Sequence, residues 1–115
     1  MTARAVHHSD QTVVIEPLHV ARRFDERTRG LLDRTALADA EGLWLPRCRL
    51  VHTFGMKFPI DLVYLTESGE ICKVVEGLRP ARLSACLGAA SVIELKSGAA
   101  RTLGLTRGIR LQIQE

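Results

Sequence analysis

The part of the sequence best suited to chemistry runs from His52 to Asp61, where polar side chains stand among apolar ones. A histidine within hydrogen-bond reach of a carboxylate could act as a general acid and base. A second polar stretch, around residue 94, supplies another carboxylate and a lysine. The candidate binding residues from the two stretches are His52, Thr53, Met56, Lys57, Asp61, Glu94 and Lys96.

The residues of the first stretch also have structural interpretations. A single histidine beside a strand is more often a hydrogen-bonded structural residue than a general base. Met56 suits core filling. Asp61 follows Pro59-Ile60 at the start of an apolar run, so we predict a structural or site-forming role for it rather than that of a surface charge. A buried carboxylate needs either a Lys or Arg partner or two or more donors such as backbone N–H groups or a Thr53 hydroxyl. Replacing Asp61 with alanine should then cost about 1–3 kcal/mol.

The second stretch places Glu94 between Ile93 and Leu95. Because side chains alternate along a strand, Glu94 points away from these two neighbours. Its carboxylate is therefore either solvated or directed to the mouth of the sheet. Lys96 lies on the same face, two positions on, and could pair with it.

The sequence gives little support for a metal site, a catalytic nucleophile or a phosphate-binding loop. Cys48 and His52 have a spacing that a metal would accept, but zinc needs about four ligands and the other histidines lie near the N-terminus. There is no Gly-x-Ser-x-Gly nucleophile motif and no phosphate-binding glycine loop before a helix. The sequence therefore predicts neither a metal nor a cofactor.

Several motifs together resemble the family called domain of unknown function 192, over about residues 12–113. They are Val20-Ala21, Arg27-x-Arg29-Gly30-Leu31-Leu32, Gly42-Leu43-Trp44-Leu45, the run from His52 to Leu65, Arg79-Pro80, and Val92-Ile93-Glu94-Leu95-Lys96-x-Gly98 with Gly104 and Gly108. The resemblance implies a small jelly-roll-type β-sandwich of prokaryotes with no established activity. Many members have Trp-Met-Lys-Asn-Thr where this chain reads Gly55-Met56-Lys57-Phe58-Pro59, and some begin with a signal peptide.

The elements that must position these residues are mainly strands. Alternation and β-branched runs predict strands at 12–16, 43–45, 48–53, 60–65, 71–76, 79–83, 90–95 and 109–114, with a hairpin turn at 66–69. A helical turn over 98–103 separates the last two. The predicted fold class is mainly β with one or two short helices, a small β-sandwich or jelly-roll-like barrel.

The first third of the chain has a different character. Residues 1–11 are polar and predict a flexible N-terminus, ahead of a single β-rich domain over 12–115. Pro17 is expected to end the first strand. A period of 3.6 residues predicts an amphipathic helix from Val20 to Thr28, and a second short helical turn is predicted over 35–40.

Charge and cysteine content restrict the partners. Residues 1–58 carry 9 cations and 7 anions and residues 59–115 carry 7 and 6, so neither half is strongly basic. Aromatic residues are only 4% of the chain, so the composition does not favour nucleic-acid binding. Three cysteines without a Cys-x-x-Cys spacing predict reduced thiols. With no signal peptide or membrane span in the sequence, we expect a cytoplasmic protein.

Three hypotheses for function remain open at this point. The first is a small-ligand-binding or peptide-binding domain that uses a face containing His52, Lys57, Asp61 and Glu94. The second is a small enzyme in which His52 works with Asp61 or Glu94 as acid and base. The third is an interaction module whose partner covers an exposed apolar patch. An enzyme requires the histidine and a carboxylate to converge in one pocket.

Overall fold

The computed structural model describes residues 2–21 and 36–115. These residues form nine strands and one short helix. The strands are β1 (Thr2–His7), β2 (Val13–Val20), β3 (Gly42–Pro46), β4 (Leu50–His52), β5 (Ile60–Leu65), β6 (Ile71–Leu78), β7 (Leu83–Ala85), β8 (Ser91–Lys96) and β9 (Leu111–Gln114), and the helix is α1 (Ala99–Thr102).

The strands form two sheets. The larger has seven strands in the order β6-β5-β8-β3-β2-β1-β9, and the smaller is the ribbon β4-β7. Neighbours in the larger sheet are antiparallel except β2 and β3, which run parallel. The prediction of a mainly β fold is therefore confirmed, as a sandwich-like arrangement rather than a closed barrel.

The larger sheet curls until its two edge strands meet at one end. Glu70 bridges to Arg110. The Ile71 amide donates to the Ile109 carbonyl at 2.7 Å, and the Leu111 amide donates to the Gly69 carbonyl at 2.8 Å. Gly69 has a φ of +88°, and a Cβ there would overlap the Leu111 carbonyl oxygen. Only glycine fits this contact, because the two backbones approach so closely.

Two apolar cores cover the two faces of the sheet. The main core lies inside the curl and includes side chains of β1, β2, β5, β8 and β9 together with Ala99 and Ala100 of α1. The second core lies on the other face, beneath Val51 of the ribbon and Met56. All six residues of β5 are buried, since this strand is covered on both faces.

The structure of the N-terminus differs from the flexible segment predicted over residues 1–11. Residues 2–7 do not form a flexible tail: β1 lies between β2 and β9, with Ala5 and Val6 fully buried. The segment alternates small apolar and polar residues, so its hydrophobic signal is weak. It is ordered by backbone pairing on both sides, with β2 and with the distant β9. Such non-local pairing cannot be seen in a local window.

Two expectations about residues 12–40 also change. Strand β2 does not end at Pro17 but continues to Val20. The register between β1 and β2 shifts opposite Pro17, so the missing N–H of proline is accommodated by an irregularity in the pairing. Val20 belongs to β2, and the Ala21 amide donates to the Trp44 carbonyl at 3.0 Å without helical structure. Residues 22–28 of the predicted helix lie outside the described residues. Of the helical turn predicted at 35–40, residues 36–40 hold a turn at Asp39 and Ala40 instead.

Candidate functional site

Asp61 is a buried structural hub at the start of β5. Its side chain is fully buried, and both carboxylate oxygens accept backbone hydrogen bonds. Oδ1 accepts from the Gly77 amide at 2.8 Å. Oδ2 accepts from the amides of Gly98 and Ala100, each at 3.0 Å. Of the two partner types that the sequence allowed, backbone N–H donors are the ones observed. Asp61 thereby ties the end of β6 and the start of α1 to β5.

Thr53 has a similar structural role at the end of the ribbon. Its side chain is fully buried. The hydroxyl donates to the Arg79 carbonyl at 2.7 Å and accepts from the Arg82 amide at 2.9 Å. The Ala81 amide donates to the Thr53 carbonyl at 3.0 Å, and Ala81 has a φ of +63°. Thr53 thus holds the turn that enters β7.

His52 and Lys57 lie on the surface. The His52 ring stacks on Phe54, with ring centroids 5.8 Å apart and planes inclined by 30°. Both His52 and Lys57 are exposed. Within the described residues, no carboxylate forms a hydrogen bond or ion pair with His52. The pairing of this histidine with Asp61 or Glu94 that acid and base catalysis would need is therefore not assembled.

Glu94 is buried on the opposite face of the sheet from Asp61. In the register of β5 with β8, Asp61 lies opposite Leu95 while Leu62 lies opposite Glu94. Because neighbouring register positions face opposite ways, the two carboxylates lie on different faces. The Glu94 side chain enters the second core, which also contains Met56.

The Glu94 carboxyl is buried with one oxygen unsatisfied. It is 4% exposed, and its Oε1 atom accepts no hydrogen bond from the residues that the structure describes. Burial raises its pKa to about 7, because an apolar surrounding disfavours the charged form. Lys96, which the sequence allowed as its partner, instead donates to Asp39 at 2.7 Å.

The three cysteines form no disulfide in this structure and are partly buried, and their reduced state stays a prediction. Cys72 and Cys86 bring their Sγ atoms within 3.7 Å of each other. Cys48 is directed elsewhere and donates to the Leu50 carbonyl at 3.1 Å. Among the residues that the structure describes, no three His, Cys, Asp or Glu side chains are grouped as metal ligands would be.

We expect oxidation with diamide to link Cys72 to Cys86 and to leave Cys48 reduced. A disulfide requires the 3.7 Å separation to shorten to about 2.0 Å, which small side-chain rotations can achieve. Peptide mapping without reductant, after alkylation of the remaining thiols, should recover one cross-link and an alkylated Cys48. A cross-link that contains Cys48, or three alkylated thiols after oxidation, would contradict this expectation.

A cleft of about 610 Å³ opens at the other end of β5 and β8 from Asp61. It lies where β3 and β5 end and β8 begins, beside the contact between Gly69 and Leu111. The residues that line it are His8, Trp44, Pro46, Arg47, Leu65, Thr66, Glu67, Ser68, Gly69, Ala90, Ser91, Leu111, Gln112 and Ile113. Asp61 and Leu65 are four residues apart on β5, which separates the cleft from the Asp61 hub by roughly 13 Å.

The cleft combines an apolar floor with a polar rim. Leu65 and Leu111 are buried at its base, and Trp44 and Ile113 are half-buried against the main core. Hydroxyl, amide and charged side chains surround this floor. None of the seven residues singled out from the sequence lines the cleft. A usable signal was present in Trp44, the only tryptophan of the chain.

No helix among the described residues has the length and apolar character needed to cross a membrane.

Two solved structures share this fold. One is a protein of unknown function from Novosphingobium aromaticivorans DSM 12444, with a TM-score of 0.81, 21% identity, and coverage of 97% of this chain and 84% of that one. The other is a proposed transcription regulator from Sinorhizobium meliloti 1021, with a TM-score of 0.83, 22% identity, and coverage of 96% and 91%. At these identities the likeness concerns the fold alone.

Comparison with curated proteins gives no match. The family model of domain of unknown function 192, described as "Uncharacterized ACR", matches residues 5–113. The match begins within β1 and ends within β9, so it spans both sheets, the Asp61 hub and the cleft. The chain therefore belongs to the domain of unknown function 192 family, whose biochemical function is unknown.

Proposed function

We propose that this protein is a binding domain for a small amphipathic molecule, and that the cleft beside Trp44 is its site. The observation that carries the proposal is the combination of concave shape, apolar floor and polar rim in one place. Ligand sites in proteins commonly have volumes of about 300–1,000 Å³ and this kind of lining. The cleft, at about 610 Å³, has room for a molecule of metabolite size.

The lining indicates how such a molecule would be oriented. An aromatic or aliphatic body would lie on Trp44 and Ile113, where it removes apolar surface from water. A hydrogen-bonding head group would face the rim, near Ser68, Ser91 and Gln112. The ends of several strands and the turn at 66–69 supply these residues, so the site does not depend on one loop.

A binding role has more support than the acid and base alternative. Asp61 has both oxygens occupied by backbone donors, and Glu94 lies on the other face of the sheet. His52 is exposed and its ring contacts Phe54. The cytoplasm of a prokaryotic cell is the proposed location, supported by the free thiols, which suit a reducing compartment. Both similar structures come from bacteria.

Trp44 allows the proposal to be tested by fluorescence, because it is the only tryptophan and lines the cleft. We expect 1-anilinonaphthalene-8-sulfonate, which has an apolar body and a polar head, to quench Trp44 emission by energy transfer with saturation. Ile113→Arg should abolish this quenching by filling the cleft. Leu87→Arg, which introduces the same side chain at an exposed position outside the cleft, should not.

Thermal melts of both variants must show a folded protein, since the dye also binds partly unfolded chains. Quenching that persists in a folded Ile113→Arg variant would place dye binding elsewhere and count against the cleft as the site.

A further inference from the structure

The outer face of the β4-β7 ribbon is an exposed apolar surface. In the ribbon register, Leu50 lies opposite Ala85 and His52 lies opposite Leu83. These four residues share one face because side chains alternate along each strand, and all four are exposed. Val51, on the other face, is buried in the second core. The ribbon therefore covers the core with one face and presents the other to solvent.

Large apolar side chains on this face remain in water. Leu50 is 61% exposed and Leu83 is 63% exposed. Phe54 follows β4, stacks on His52 and is 51% exposed. Single exposed leucines are ordinary on protein surfaces, but a contiguous group indicates a contact surface.

The segments that carry the ribbon hold a marked excess of positive charge. Residues 47–59, between β3 and β5, and residues 79–90, between β6 and β8, contain five cations and no Asp or Glu: Arg47, Arg49, Lys57, Arg79 and Arg82. The rest of the chain has 11 cations and 13 anions, a net charge of −2. The net positive charge of the sequence is thus carried by the two segments that hold the ribbon.

We propose that the outer face of the β4-β7 ribbon docks on an anionic lipid bilayer, with Leu50, Phe54 and Leu83 at the level of the head groups and the surrounding cations against the lipid charges. Peripheral membrane binding combines apolar side chains at the interface with Lys and Arg against anionic head groups. A three-residue ribbon is small beside the area of about 800 Å² per partner that a stable protein interface buries. A bilayer does not require that area, because a few inserted side chains and nearby cations suffice. The apolar side chains of this surface lie outside the cleft, and Arg47 is the one cation of the two segments that also lines it, so the inference does not depend on the proposed function.

Co-sedimentation with lipid vesicles tests the inference. We expect binding to vesicles of equal parts phosphatidylglycerol and phosphatidylcholine, loss of binding at high salt, and much weaker binding to phosphatidylcholine alone. Each arginine near an anionic surface contributes about fivefold to partition, so Arg49→Gln with Arg82→Gln should lower binding by about 25-fold. Leu50→Ser with Leu83→Ser should also weaken binding at unchanged charge.

The matched control is Arg4→Gln with Arg110→Gln, which removes the same charge from exposed positions on and beside β1 and β9. These changes should leave most of the binding intact. The inference is overturned if the control weakens binding as much as the ribbon pair does, or if both vesicle types bind alike. It is equally overturned if wild type forms a dimer that Leu50→Ser with Leu83→Ser abolishes, or if duplex DNA binds through Arg49 and Arg82 while vesicles do not.

Discussion

Replacing Asp61 with alanine is expected to lower the free energy of unfolding by about 3 kcal/mol, the upper end of the range expected for loss of buried hydrogen bonds. The change leaves three backbone N–H groups, those of Gly77, Gly98 and Ala100, without their acceptor. Two of these three donors, the amides of Gly98 and Ala100, lie at the start of α1. A domain of this size should lose roughly 12 °C in melting temperature.

The matched control for this variant is Asp39→Ala. Asp39 is an exposed carboxylate whose only described contact is the ion pair with Lys96, and a surface pair of this kind contributes little. We expect its melting temperature to stay close to that of wild type. A thermal melt in which Asp61→Ala and Asp39→Ala behave alike would show that the hydrogen bonds of Asp61 do not stabilise the fold.

Replacing Glu94 with methionine is expected to stabilise the protein in a pH-dependent manner. Burial raises the folded-state pKa of Glu94 from 4.5 to about 7, so the folded state holds this proton more tightly than the unfolded state does. The tighter binding of this proton therefore contributes fully to the free energy of unfolding of wild type below pH 4.5. That contribution is lost as the pH rises through about 7. At pH 8 the buried charge costs about 3 kcal/mol.

Urea unfolding at pH 4.5 and pH 8 measures this effect. The stability gained by Glu94→Met should be about 3 kcal/mol larger at pH 8 than at pH 4.5. Glu67→Gln removes a carboxylate at an exposed position and serves as the control. If Glu94→Met and wild type show the same change in stability between the two pH values, Glu94 does not titrate as a desolvated group.

Local sequence patterns were sufficient for much of the fold. The run from Ile60 to Leu65 predicted β5 with its observed bounds, because β-branched and apolar residues fill a strand that is buried on both faces. The position of Asp61 at the start of that run also indicated a structural or site-forming carboxylate, held either by a Lys or Arg partner or by two or more hydrogen-bond donors. Its donors lie 16, 37 and 39 residues away along the chain, so their identity required the structure.

The candidate site was harder to predict because it depends on non-local contacts. The seven residues chosen from the sequence are close together in two stretches of the chain, but strand alternation sends Asp61 and Glu94 to opposite faces. The cleft instead gathers His8, Trp44, Ser68 and Gln112 from four distant segments. It exists only because the sheet curls and β9 meets the segment around Gly69, and no local pattern encodes that meeting.

An amide NMR titration of the ¹⁵N-labelled protein with 1-anilinonaphthalene-8-sulfonate would locate ligand binding residue by residue. For a ligand that binds in the cleft beside Trp44, we expect saturable shift changes at His8, Ser68, Gly69 and Gln112, with the amides of His52 and Lys57 unchanged. Saturable changes at His52 and Lys57 with the cleft amides unmoved would contradict this expectation and return the site to the stretch between His52 and Asp61.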